Sequence, residues 1–121
     1  LQAFSRDLPE FDKFYSILIQ LESGGKTNVI GDHGLAIGEA QIHKAYFLDA
    51  QQFNKNLSKY SYSNCFDSAV SKLVVKSYLL RYSKSNDWGE WARIHNSGPS
   101  WRNKKDLTNN YWRKFRKIAR I

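Results

Sequence analysis

The chain has 121 residues, 41% hydrophobic and 15% aromatic, and its 19 Lys and Arg outnumber 11 Asp and Glu for a net charge of +8. This length and composition describe one globular domain and exclude a disordered chain; no apolar run approaches the ~20 residues a membrane-spanning helix requires. The positive surplus points to a polyanionic partner (nucleic acid, an acidic membrane or a wall polymer), and the one cysteine, Cys65, allows no internal disulfide.

Residues 1–8 read as an irregular lead-in, with Asp7 and Pro9 as cap and early helical residue. A first helix is expected from Pro9 to Glu22, because Phe11, Phe14, Tyr15, Leu18 and Leu21 recur at steps of three and four. Ser23, Gly24 and Gly25 then end it. Asn28–Ile30 and Leu35–Ile37 are β-capable pieces around the turn-forming Gly31-Asp32-His33-Gly34, which predicts a small hairpin. Glu39 to Ala50 reads as a helix, and residues 54–64, rich in Asn, Ser and Lys, as a surface loop. Asp67 or Ser68 caps a helix to Tyr82 whose apolar residues lie almost all round, the pattern of a buried central helix. A further helix follows from Trp88 to about His95. Asn96 to Ser100 is a turn, and a last helix from about Leu107 points Tyr111, Trp112, Phe115 and Ile118 at the core. The expected fold is mainly α (α+β), one domain over residues 1–121, with one hairpin beside the end of the first helix.

Two carboxylates flank that hairpin. Glu22 continues the apolar stripe of the first helix, and an acid held at the edge of a core is pushed toward its protonated form. Asp32, in a polar turn, is expected to stay ionised. A hairpin folded across the helix end would bring the two to one cleft, the pairing glycoside cleavage uses. Taken alone, Asp32 reads as an ordinary turn aspartate. Glu39 is a third candidate acid, or else an early-helix carboxylate. Cys65 reads as a buried small hydrophobe. His43 and His95 have no partner at metal-ligand spacing and read as surface or loop-bracing residues. No HxxxH pair, phosphate-cradling loop or GxSxG elbow is present, so no metal or cofactor is expected. The basic run Arg113, Lys114, Arg116, Lys117 and Arg120 is either a solvated helix face or a binding patch.

ESGG at 22–25 followed by GLAIGEAQIH at 34–43 resembles the lysozyme-like superfamily. Goose-type lysozymes and lytic transglycosylases there share a Glu-Ser helix end and a Gly-rich stretch closing on a Gln-Ile or similar pair. ARIHNSGPSW at 92–101, with YW at 111–112, is similar to a segment of invertebrate-type lysozymes and related phage enzymes. AIGEAQIHKAYFLDA parallels their stretch around Gln-Ile and a Tyr-containing helix. These motifs span most of residues 11–115, and the scarcity of cysteine makes the chain resemble phage or bacterial relatives of the invertebrate type.

The resemblance implies a lysozyme-like fold and a muramidase cutting the β-1,4 bond between N-acetylmuramic acid and N-acetylglucosamine of peptidoglycan. It places Glu22 as general acid and Asp32 as second carboxylate, with Glu39 as an alternative acid where relatives carry an uncharged residue. Ser23, Gln41, Tyr46, His95 and Asn96 are implied around the substrate, and Trp91 and Trp101 are candidates for stacking on sugars. A lytic transglycosylase, which needs one acid and leaves anhydro ends, is the alternative; a non-catalytic wall-binding module is a second. A nucleic-acid-binding domain ranks last, since no reading motif is present. The implied partners are glycan strands and an anionic wall, contacted by a monomer without membrane insertion. The start at Leu1 leaves room for an upstream targeting segment, and the expected location is secreted, periplasmic or virion-associated.

Overall fold

In the computed structural model, which describes residues 8–121, the stripe of the first helix folds inward as α1 (Phe11–Ser23). Phe11, Phe14, Tyr15 and Leu18 are buried, and Leu21 and Glu22 half-buried. The helix starts two residues later than expected, because Glu10 adopts left-handed backbone (φ 61°) and Pro9 lies in the preceding turn. Asp7, the expected cap, lies outside the described residues. Gly24 closes the other end at φ 68°, and the N–H groups of Gly24 and Gly25 return to Gln20 O and Ile19 O. Glycine tolerates this left-handed stop at no steric cost.

The expected hairpin is present and carries a third strand. β1 (Ile30–Gly31) pairs antiparallel with β2 (Ala36–Ile37), and β2 with β3 (Ile42–His43), with a 3-10 turn at Asp32–Gly34. The helix expected from Glu39 therefore begins five residues later, as α2 (Lys44–Phe53). The cause is local backbone: Gly38 (φ 80°) and Gln41 (φ 53°) are left-handed, which no α-helix accommodates. Glu39 is thus in a turn and buried, not an early-helix carboxylate. The polar stretch after α2 forms two 3-10 turns, Lys55–Lys59 and Tyr62–Phe66, which bury Leu57 and Cys65.

Asp67 caps α3 (Ser68–Tyr82) by accepting from Val70 N. Val70, Val74, Val75, Tyr78 and Leu79 are buried, while Leu73 reaches solvent at 36%. Its apolar surface is therefore not enclosed all round. α4 (Trp88–Ser97) is capped by Asp87, and a 3-10 turn at Trp101–Lys104 leads into α5 (Lys105–Ala119). On α5, Thr108 and Phe115 are buried and Tyr111 and Trp112 half-buried, but Ile118, expected in the core, is 41% exposed.

An aromatic cluster joins α1, α4 and α5. Phe14 meets Trp91 edge-on at 5.2 Å and stacks on Phe115 at 5.1 Å, with Trp88 against both. Burying each such ring stabilises the fold by roughly 1.5–3 kcal/mol. That cluster fixes the end of α1 against α4 and α5, and with it the position of Glu22.

Candidate active site

α1 ends beside the small sheet, and a cleft of about 500 Å³ opens there, lined by Glu22 from α1 and by Asp32, Gln41 and His43 from the sheet. Tyr46 and Asp49 of α2, Tyr78 of α3, His95 to Ser97 of α4 and the following Gly98 form the other walls, with Lys104 at the end of the 3-10 turn before α5. The hairpin thus does bring both flanking carboxylates to one cleft.

Glu22 is 19% exposed at its side chain. The Tyr111 hydroxyl donates to Glu22 Oε2 at 2.6 Å, across 89 residues of sequence. His95 Nε2 lies 3.4 Å from the same oxygen. Burial, then the neighbouring Glu22 carboxylate, pushes the Tyr111 hydroxyl well above its ordinary range, so it stays a donor. His95 Nε2 also contacts Ala40 O at 3.0 Å, and a carbonyl only accepts, so Nε2 carries the proton. In the neutral imidazole Nδ1 then accepts from the Tyr46 hydroxyl at 2.9 Å. Both polar neighbours of Glu22 address Oε2, and among the described residues Oε1 has no side-chain partner.

Tyr46 stacks on Tyr78 with ring centroids 3.7 Å apart, forming an aromatic wall of the cleft. Burial pushes Tyr78 up to about 12 and Tyr46 well up, so both remain neutral phenols. Asp49, one helical turn from Tyr46, is held by Arg81 at 2.8 Å and by the Tyr82 hydroxyl at 2.6 Å. Gln41 lines the cleft but uses its amide nitrogen to brace the hairpin, donating to Gly38 O at 3.0 Å and Val29 O at 3.3 Å. Asn96 is exposed on the cleft wall and accepts from Ser97 Oγ.

Ser23 and Glu39 do not line the cleft. The Ser23 hydroxyl donates to Glu39 O at 2.8 Å, tying the end of α1 to the turn. Glu39 is 3% exposed, and its Oε2 accepts from Tyr15 at 2.6 Å and Ser68 at 2.9 Å, behind the site rather than in it. Trp91 has no exposed surface and cannot stack on a sugar. Trp101 is half-buried outside the cleft, between Arg102 at 4.4 Å and Arg93 at 5.5 Å. Cys65 is the buried small residue its sequence setting suggests, and burial pushes its thiol up to about 12.

Sequence reasoning misses several functional residues. Tyr111 packs against the core as expected, but nothing local marks its bond to Glu22 89 residues away. Among the cleft residues, Asp49 carries a usable signal, its one-turn spacing from Tyr46, while His43 reads only as a surface or loop-bracing residue and Tyr78 and Lys104 carry none. Among the described residues no His, Cys, Asp and Glu group is arranged to hold a metal ion, and no helix is long and apolar enough to cross a membrane.

No curated protein and no solved structure matches the chain. The model of one family, Destabilase, matches residues 13–118, a span that contains every wall of the cleft. The chain belongs to the Destabilase family, a lysozyme-like family of glycosidase type.

Proposed function

We propose that the protein is a muramidase that hydrolyses the β-1,4 bond between N-acetylmuramic acid and N-acetylglucosamine in peptidoglycan. The observation that carries this reading is the asymmetric setting of Glu22. Tyr111 and His95 both address Oε2, so a proton on Glu22 belongs on Oε1, the oxygen free to meet a glycosidic oxygen. Glu22 acts as general acid and protonates the leaving group. Asp32, across the same cleft, faces the positive charge that develops at the anomeric carbon, as stabiliser, nucleophile or base toward water. Tyr46 and Tyr78 give sugar rings an aromatic wall, and Asn96 and Gln41 offer polar contacts to hydroxyl and acetamido groups.

The exposed outer face of α5, from Lys105 through Arg113, Lys114, Arg116 and Lys117, supports attachment to an anionic wall, and salt weakens such attachment. The enzyme then acts as a monomer where the wall is, secreted, periplasmic or virion-associated.

Mass spectrometry of the soluble products from purified peptidoglycan tests the reading. Reducing muropeptides are expected from the native protein. Glu22→Gln should lower their release by about 100-fold or more, the usual contribution of a general acid. Full activity in that variant would sink the assignment. Anhydro ends, one water lighter, would make the protein a lytic transglycosylase, and binding without products a wall-binding module.

A further inference from the structure

On the sheet side of the cleft, Asp32 and His33 hold left-handed backbone in succession, with φ of 50° and 56°. Two such non-glycine residues in succession are uncommon and set the course of the tip. The third strand runs beside it. β3 pairs with β2 so that His43 lies opposite Ala36, and the alternation along β3 buries Ile42 and turns His43 outward. Leu35, beside Ala36, donates its N–H to Asp32 O at 3.0 Å, which folds the tip back toward β3. His43 Nε2 thereby comes to rest 2.9 Å from Asp32 Oδ2, and both residues line the cleft. Two lone pairs would repel at that distance, so Nε2 carries a proton toward the carboxylate. Among the described residues no other side chain contacts the Asp32 carboxylate, and Oδ1 stays open.

Both side chains are about half exposed, at 48% and 53%. Exposed pairs add little to stability, so this contact matters for orientation rather than for folding. A carboxylate on a short side chain at this tip has two faces to offer, and an oriented one is worth far more to a reacting centre than a rotating one.

We propose that His43 is a positioning residue for the second carboxylate, holding Asp32 by Oδ2 so that Oδ1 meets the reacting sugar. The proposal rests on the reading of Asp32 given above. It also explains why the third strand belongs to the site, since β3 serves to deliver the imidazole.

Steady-state kinetics on soluble glycan fragments, together with ¹⁵N NMR of the imidazole, provide the test. His43→Ala should lower kcat by about 10- to 100-fold with KM changed less than about twofold, and with an unaltered melting temperature. His43→Gln, which returns a nitrogen donor at the place of Nε2, should recover most of the loss. In an Asp32→Asn background His43→Ala should cost nothing further. The His43 ¹⁵N signals should shift on Asp32→Asn, a readout that does not depend on turnover. Unchanged kcat in His43→Ala, an equal loss in the Asp32→Asn background, or static ¹⁵N signals would each overturn the proposal. Full activity in Glu22→Gln is a separate result, and it overturns the muramidase reading instead.

Discussion

At the scale of single residues, a carboxylate becomes a directed acid when its two oxygens are made unequal. Glu22 is placed by α1, but Tyr111 decides which oxygen is free. A short, half-buried O–H···O bond to a carboxylate is among the stronger hydrogen bonds a protein makes. Removing it leaves Glu22 free to rotate in a cleft that is otherwise intact. Tyr111→Phe is therefore expected to lower kcat by on the order of tenfold while leaving KM nearly unchanged. Kinetics on soluble glycan would check this, and a variant with native kcat would mean that His95 and packing suffice to hold Glu22.

At the scale of elements, the turn from Gly38 to Gln41 is the joint of the site. The Ser23 hydroxyl of α1 reaches Glu39 O, Ser68 of α3 reaches the Glu39 carboxylate, and His95 of α4 reaches Ala40 O. Tyr15 of α1 bonds both the Glu39 carboxylate and Ser71 of α3. The turn thus fastens three helices behind Glu22, two of them through Glu39, whose hydrogen bonds account for an acidic residue with almost no exposure. The turn depends on Gly38, which sits at φ 80° with the place of a Cβ only 2.2 Å from Cys65 O. Backbone atoms cannot retreat as a side chain would. Gly38→Ala should destabilise the fold by roughly 2–4 kcal/mol and loosen the site. Urea unfolding and peptidoglycan turnover should fall together, and a stable but inactive variant would place the effect in the site alone.

At the scale of the molecule, several buried groups hold their protons more tightly in the fold than they would in an open chain. Burial pushes the Cys65 thiol from 9.0 to about 12 and raises Tyr15, Tyr46, Tyr78 and Tyr111 above 10.0. The folded state therefore binds more protons than the unfolded state above pH 9.0, and the linkage sign makes stability fall as pH rises. Stabilisation from these groups is fully present below that pH, declines first through Cys65 and then through the tyrosines. Urea midpoints measured upward from pH 8 should drop from about pH 9. Cys65→Ala should flatten the first part of the decline, and a midpoint that rises with pH would refute it.

The same scale separates what each source of information decided. The three- and four-residue rhythm of Phe11 to Leu18, the glycines after Ser23 and the cap signal at Asp67 and Ser68 determined α1 and the start of α3, because helix periodicity and capping are local properties. The apolar neighbours of Glu22 and the turn chemistry around Asp32 likewise marked both carboxylates. Local rules failed at residues 38–43, where two left-handed residues override a helix-like pattern and set a third strand. They also failed for Ile118, which is 41% exposed while its neighbour Ala119 packs against the core. Tertiary structure alone decided that Tyr111 bonds Glu22, that His43 meets Asp32 and that Glu39 is buried behind the cleft. Those contacts join residues 11 to 89 positions apart, and no local spacing encodes the helix packing and strand pairing that bring them within hydrogen-bond or ion-pair reach.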